Sequence, residues 1–511
     1  MSRGFSIGIV GGGAAAVCLI DALAGAQGGP GSITVFEPSP HLWRGRAYQP
    51  DTETLRVNAT PDDMSVRAAD PGHFERWLET HDRIAGTTNG LDRWSGVRFA
   101  PRTVYGDYLE QSACTALADL RRQGWQVNLI GESVEAAVRT ADEVVLRSGR
   151  GNVRPFDYVA LCVGGDSPED TYGLSGAPGF TADPYPILGT LQEIDADDHI
   201  GVIGSGLTSV DIILSLAGRG HRGRISLLSR SGVLPGVRQR PVPFELRHFT
   251  PERMGLLWRQ QRELSIEELG AIMTDEFREV GADLRAVMSE LLQEGREDPV
   301  DVLRRQFADV DSPHMGLRIL RRAVPETGPD VWPLLRAQDK AEVLRAHYRT
   351  VMSLCCPMPP SSAAVLLELF GTGQLQSHSG LRTVAPRPGG GFDVVTERAA
   401  FTTDRVINAV NAASGRIPAA AKPLVTSLVD GNAARQHPHG GLHLARATSR
   451  LTVDGTPDPR LYGLGNIGSG SLFFTWGLPS LVDRSVDIAA AILAHASGLD
   501  ATRTEEVLVS T

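Results

Sequence analysis

The sequence predicts an α/β fold with two parallel sheets, one unit inserted into the other. Three stretches carry that prediction. Near the start, the apolar run Ile7-Gly8-Ile9-Val10 enters Gly11-x-Gly13-x-x-Ala16 and an apolar helix from Val17 to Leu23. Well downstream, Ile200-Gly201-Val202-Ile203 enters Gly204-x-Gly206-x-x-Ser209 and a helix through Ala217. Between about 251 and 350, Glu, Arg, Leu and Ala dominate in amphipathic runs, the pattern of a helical insertion.

In the first stretch, a buried strand, a tight turn and a helix follow one another. Gly11 permits the turn, Gly13 lets a diphosphate approach the backbone, and Ala16 lets helix and strand pack closely. Free N–H groups and the helix dipole favour phosphate there. The same residues are apolar enough to imitate a signal peptide, but consecutive glycines break the run and a basic leader is missing. A dinucleotide turn explains them better.

Ser32 to Glu37 reads as the second strand, ending in an acid. A carboxylate at that tip suits the hydroxyls of an unphosphorylated ribose, as in FAD or NAD, and disfavours a 2′-phosphate. In the second unit, Arg224 to Leu228 is the matching strand, and Ser229-Arg230-Ser231 is its tip. Arg230 follows Gly204 at the spacing with which Glu37 follows Gly11. A cationic, hydroxylated tip suits a 2′-phosphate, so this site is expected to prefer NADPH over NADH.

Between the two turns, Pro38 to Pro71 is an irregular loop of the length that usually carries function, and a helix follows around His73 to Thr80. Gln126 to Ile130 and Val144 to Arg147 read as strands of a small hairpin layer. Asp157 to Gly165 reads as a buried strand returning to the first sheet. In the insertion, Ser265 to Glu279, Ala282 to Gln293 and Ala337 to Met352 have helical periodicity. Gln374 to Ser377, Phe392 to Thr396 and Arg405 to Ala409 read as strands completing the second sheet. The chain closes with the glycine-rich Arg460 to Asn466 and a helix from about Pro479 to His495. The expected organisation is a first part of an FAD-binding domain over 1–195, an NADPH-binding domain over 196–250 and 366–415, a helical insertion over 251–365, and a return to the FAD-binding domain over 416–500.

With 511 residues, several domains can bury full cores. A net charge of -10 argues against nucleic acid or an anionic membrane as the main partner. Cys18, Cys114, Cys162, Cys355 and Cys356 form no C-x-x-C, which removes the redox pair of disulfide reductases, and they have no zinc spacing. A cytosolic protein is expected, with its oligomeric state left open.

The two glycine turns are joined by further runs: Gly45 to Tyr48, Leu55 to Asn58, Asp63 to Ser65, Phe74 to Leu78, Pro101-Arg102 with Tyr105-Gly106-x-Tyr108-Leu109, Gly204 to Asp211, Ser229 to Gly232, and Leu461 to Gly470. With them, the chain resembles the two-dinucleotide-binding FAD/NAD(P)-binding flavoproteins, in particular the single-component N-hydroxylating monooxygenases. The resemblance implies a Rossmann-like FAD-binding domain with an inserted Rossmann-like NADPH-binding domain. It also implies a reaction in which NADPH reduces the flavin and oxygen forms a C4a-(hydro)peroxyflavin. The distal oxygen then passes to a nucleophilic nitrogen, sulfur or carbon, and the activity expected of this chain is N-hydroxylation of a small amino-acid-type amine in specialised metabolism.

Carried onto this chain, the resemblance gives Gly11, Gly13, Ala16 and Glu37 to the ADP half of FAD. Arg46, Asn58 and Met64 fall to the flavin surroundings, and Gly465 and Asn466 to the ribityl-diphosphate region. Gly204, Gly206, Ser209, Ser229 and Arg230 fall to NADPH. Related flavoproteins commonly carry Gly-Asp where Gly465-Asn466 stands, and Asn brings no charge. Leu354 to Pro360, with its paired cysteines, departs from the expected pattern and receives no role.

No Ser-His-Asp order, H-E-x-x-H or metal cluster appears in the sequence, so no catalytic side chain and no metal is assigned. An amino-acid substrate needs a cation for its carboxylate, preferably a bidentate Arg. Arg238 and Arg240 are the first candidates. Arg247 with His248, and the set Arg44, Arg46 and Arg56, are others. The aromatic run Leu472 to Gly477 is expected to pack around the isoalloxazine. Two alternatives use the same cofactors: a reductase or oxidase without oxygen insertion, and a redox sensor that binds FAD without turnover.

Overall fold

The computed structural model describes residues 4–26, 28–87, 90–165, 167–294, 296–410 and 415–498. The chain opens with β1 (Ser6–Val10), α1 (Ala14–Gly25) and β2 (Ser32–Phe36), passes through a long irregular loop, and continues with α2 (His73–Ala85), α3 (Arg102–Arg122) and β3 (Gln126–Ile130). β4 (Val134–Arg139), β5 (Val144–Ser148) and β6 (Val153–Phe156) form an antiparallel layer, after which β7 (Tyr158–Leu161) returns to pair in parallel with β1. β8 (Phe180–Thr181) and α4 (Ile187–Gln192) lead into the second unit, β9 (Ile200–Ile203), α5 (Leu207–Gly218) and β10 (Ile225–Leu228).

The helical insertion comprises α6 (Pro251–Arg259), α7 (Ile266–Arg278), α8 (Leu284–Glu294), α9 (Pro299–Ala308), α10 (Gly316–Val331), α11 (Ala337–Glu342) and α12 (Tyr348–Cys355). The start signals of three helices are local. Thr250 caps α6 before Pro251, Ser265 and Glu268 form a reciprocal capping box on α7, and Asp298 caps α9 before Pro299. α13 (Pro360–Thr372) leads back to β11 (Leu375–His378), β12 (Leu381–Pro386), β13 (Phe392–Thr396), β14 (Ala400–Thr403) and β15 (Arg405–Asn408). The end of the chain holds α14 (Lys422–Asp430), β16 (Arg450–Val453), β17 (Thr456–Gly463), the short α15 (Ser469–Leu472) and the long α16 (Leu478–Ala496).

Two sheets organise these elements. One has six strands in the order β16-β17-β7-β1-β2-β3, the other five in the order β11-β10-β9-β15-β8. β7, β9 and β10 are buried at every position, as expected of parallel strands covered on both faces. By contrast, β13 alternates buried and exposed residues, the mark of a half-solvated antiparallel strand.

Two strand assignments need correction. Gln126 to Ile130 pairs in parallel with β2 at the edge of the first sheet, whereas only Val144 to Ser148 joins the antiparallel layer. Phe392 to Thr396 lies in a separate antiparallel sheet, β12-β13-β14, and does not complete the second parallel sheet. A short edge strand and a hairpin strand have the same local composition, so only the pairing partner separates them. The tail from residue 499 lies outside the described residues.

Candidate functional site: two glycine turns and the segment between them

The two units repeat one local geometry. Gly11 donates to the Phe36 carbonyl at 2.9 Å and Cys162 donates to the Val10 carbonyl at 2.7 Å; in the second unit Gly204 donates to Leu228 at 2.7 Å and Ala409 to Ile203 at 2.7 Å. Both glycines have positive φ, +103° and +114°. A Cβ on Gly11 would stand 2.1 Å from the Cys162 carbonyl oxygen, and one on Gly204 would stand 2.7 Å from that of Ala409. The crossing strand lies directly beneath each turn, so a side chain has no room.

Gly13 and Gly206 are the N-caps of α1 and α5, and neither helix has a side-chain cap or an acid in its first turn. Their first N–H groups therefore have no intrahelical partner and no competing carboxylate. A Cβ on Gly13 would meet Gly45 Cα at 3.3 Å, so the loop after β2 closes over this turn; one on Gly206 would meet open space. Ala16 is fully buried against the sheet. Ser209 is 1% exposed and its hydroxyl has no partner among the described residues, an orphan that a bound diphosphate would satisfy. The donor sets at both turns fit a dinucleotide.

The strand tips differ. Glu37 accepts from Gly12 at 2.7 Å and from Ser39 at 2.9 Å, which fixes the carboxylate beside the first turn and leaves lone pairs for a hydroxyl donor. Ser229 is buried, and its oxygen accepts from the Gly232 N–H at 2.8 Å, so it holds the turn instead of lining an open tip. Arg230 is exposed beside it.

Between the units, Asn58 accepts at its backbone carbonyl from Arg238 Nε at 2.9 Å, and its side chain makes no hydrogen bond among the described residues. Met64 is buried and its carbonyl accepts from the Tyr105 hydroxyl at 2.9 Å. Burial pushes the Arg238 guanidinium down, opposed by Asp63 and Cys356. Cys356 therefore belongs to this locality, through the pairing of Met358 with Val237. Its thiol is pushed up to about 11 by burial against the pull of Arg238, which keeps it protonated near pH 7. Cys355 and Cys356 are both free thiols.

Several expected site cations are committed elsewhere. Arg240 bonds Asp311, the Ser95 carbonyl at 3.2 Å and the Trp94 carbonyl at 2.5 Å, so all three guanidinium nitrogens hold the insertion to the 92–96 turn. Arg46 bonds Asp183 at 2.5 Å. Arg44 is pinned by Glu110 and Asp107, Arg56 bonds the Phe99 carbonyl at 3.1 Å, and Arg247 and His248 both reach Glu279. Asn466 spends its side chain on Gly415 N–H at 3.3 Å and the Arg416 carbonyl at 3.2 Å, while Gly465 turns at φ +82°. Phe473 and Phe474 pack into the core of the insertion, with Phe473 stacked on Trp332 at 4.7 Å.

One connection has no sequence signal of its own. Arg102 at the start of α3 pairs with Asp211 on α5 at 2.7 Å and donates to the Tyr185 hydroxyl at 3.2 Å, which itself donates to Asp211 at 2.5 Å. Burial works against the Arg102 charge, but Asp211 holds the guanidinium above its ordinary range. The hydroxyls of Thr54 and Ser215, 2.8 Å apart, add a second tie between the loop and α5. The loop after β2 and the start of α3 are thus tied to the helix of the second glycine turn.

Residues 8–166 match the model of the FAD-NAD(P)-binding family. The chain is built on the FAD/NAD(P)-binding flavoprotein fold. Solved structures with this flavoprotein fold align along nearly the whole chain. The cadaverine monooxygenase of Erwinia amylovora, solved with FAD, is similar at a TM-score of 0.59 and 12% identity, covering 97% of this chain and 95% of that one. The reduced ornithine hydroxylase of Pseudomonas aeruginosa aligns at 0.56 and 14% identity, covering 96% and 100%. The L-lysine 6-monooxygenase of Pseudomonas syringae aligns at 0.56 and 15% identity, covering 97% and 100%. No curated protein matches the sequence. Among the described residues no helix is long and apolar enough to cross a membrane, and no His, Cys, Asp or Glu group is arranged to hold a metal.

Proposed function

We propose that this flavoprotein is an FAD- and NADPH-dependent monooxygenase that N-hydroxylates a small amino-acid-type amine. The observation that carries the reading is the pair of repeated glycine turns with unlike tips, an acid at Glu37 and an exposed cation at Arg230. The likeness in fold to three amine and amino-acid hydroxylases supports the reaction class.

In this reading Gly11, Gly13 and Ala16 let the diphosphate of FAD meet the start of α1, and Glu37 accepts from its ribose. Gly204, Gly206, Ser209 and Arg230 receive NADPH in the same way. Bound FAD, reduced by NADPH, supplies the oxygen-activating chemistry. Asn58 and Met64 lie on the loop that faces the flavin, one polar and one excluding water. Arg238 is the cation left to orient a substrate carboxylate. The bolt from Arg102 to Asp211 keeps the two nucleotide units in register.

The test is a panel of amino acids and diamines assayed for NADPH-dependent oxygen uptake, with mass spectrometry of the product. A hydroxylamine formed with little hydrogen peroxide is the expected result. Hydrogen peroxide alone would indicate an oxidase, NADPH oxidation without oxygen a reductase, and no NADPH oxidation an FAD-binding sensor.

A further inference from the structure

We propose that the helical insertion takes part in nucleotide recognition: Arg349 on α12 and Arg230 at the tip of β10 form one site for a phosphate dianion, and the 2′-phosphate of NADPH seated there ties α12 to the second sheet. The proposal rests on the reading of the second turn as the NADPH site.

Arg230 and Arg349 are both exposed, and neither makes a hydrogen bond or ion pair among the described residues. Their neighbours on the insertion behave differently: Arg345 pairs with Glu342 at 2.6 Å and Arg305 with Glu297 at 2.7 Å. An open cleft separates the two guanidinium-bearing segments, with Ser231, Gly232 and Pro235 on the strand-tip side and Leu303, Thr350 and Ser353 on the insertion side. Thr350 follows Arg349 directly, as Ser231 follows Arg230. The Ser229 hydroxyl holds the Gly232 N–H at 2.8 Å, fixing the turn that carries the strand-tip wall.

The electrostatics agree with the geometry. Partial burial, and then the charge of Arg230, push the Arg349 guanidinium below its ordinary range, with Tyr348 opposing, and Glu297, the acid that lines the cleft, is paired with Arg305 at 2.7 Å. A dianion between them relieves that repulsion and offers each fork charge-assisted hydrogen bonds. The site lies beyond the end of the strand that follows the Gly204 turn, where a dinucleotide fold places the adenosine ribose. The apolar side of the cleft suits the attached base. A net charge of -10 disfavours an extended polyanion as the ligand.

This arrangement reaches the substrate side. The chain leaves α12 through Cys356 to Met358, which accepts at its carbonyl from Arg238 N–H at 2.9 Å and donates to the Gly236 carbonyl at 2.7 Å. A 2′-phosphate that anchors α12 therefore also steadies the segment that positions Arg238.

The experiment titrates the full-length, FAD-loaded protein with 2′,5′-ADP and with 5′-AMP by calorimetry, and follows hydrogen exchange over residues 348–355 with each. The expected result is tighter binding of 2′,5′-ADP by about tenfold or more, a charge-assisted contact being worth that much. Arg230→Ala and Arg349→Ala should each lose most of that preference while 5′-AMP binding is kept, Arg349→Lys should restore part of it, and only 2′,5′-ADP should slow exchange over 348–355. If Arg349→Ala keeps the preference that Arg230→Ala loses, and α12 gains no protection, the proposal is overturned while the NADPH reading stands. Wild-type protein with no preference for 2′,5′-ADP overturns both.

Discussion

Arg238 donates from Nε to the backbone carbonyl of Asn58 at 2.9 Å, joining the segment after the second glycine turn to the loop beside the first. The two segments are thus one connected piece. Arg238→Ala should raise the KM for the amine substrate by about tenfold or more, the loss of a charge-assisted hydrogen bond, while NADPH still reduces the flavin. Arg238→Lys should recover only part, because an ammonium lacks the planar fork. Steady-state kinetics with amine and NADPH varied separately give the result; an unchanged amine KM removes Arg238 from the site.

The glycine turns should fail separately. In Gly11→Ala the new Cβ would sit 2.1 Å from a backbone oxygen, so the purified protein should carry little flavin by absorbance and melt earlier. Gly204→Ala, with 2.7 Å of clearance, should keep its flavin and lose rapid reduction by NADPH in stopped flow. Loss of flavin from the second variant alone would reverse the division of cofactors.

The pair Arg102–Asp211 is buried, with side chains 16% and 8% exposed. Arg102→Ala leaves the buried Asp211 carboxylate with the Tyr185 hydroxyl but without its cation, and should cost about 3–5 kcal/mol in denaturant unfolding. Changing both residues to well-packed apolar side chains should cost much less, because no charge is then stranded.

Asp21 on α1 has its carboxyl pushed up to about 6, by burial first, with Arg67 opposing and Asp119 adding to it. Below the unfolded value of about 4 both states are protonated; between there and about 6 the folded state holds the extra proton. Stability from this group is therefore present at low pH and lost as pH rises through 6. Asp21→Asn should raise stability at pH 7 by about 1 kcal/mol, less than the shift alone would give because Arg67 loses its partner, and should flatten the slope between pH 4 and 6. Thermal melts across that range check both.

The sequence by itself determined what is local. A glycine at a turn needing positive φ, an acid or a cation at a strand tip, and buried apolar runs bounded by glycines are properties of a few consecutive residues. Gly11, Gly13, Gly204 and Gly206 accordingly stand where their spacing places them, and β7 returns beneath the first turn. The capping signals at Thr250, Ser265 and Asp298 are local in the same sense. α10 is the opposite case, a helix that continues through Pro325 and Pro329 because its other face is buried in the insertion.

Only the tertiary structure decided which partners long side chains meet. Arg238 and Arg240 are two positions apart and chemically identical, yet one faces Asn58 while the other spends every nitrogen on Asp311, Ser95 and Trp94. Gln126 to Ile130 and Phe392 to Thr396 are similar short strands that went to a parallel edge and an antiparallel hairpin. The bolt between Arg102 and Asp211 joins residues far apart in sequence. A guanidinium's partner is set by whichever carboxylate or carbonyl the fold brings within about 3 Å, and that distance is not written in any local pattern.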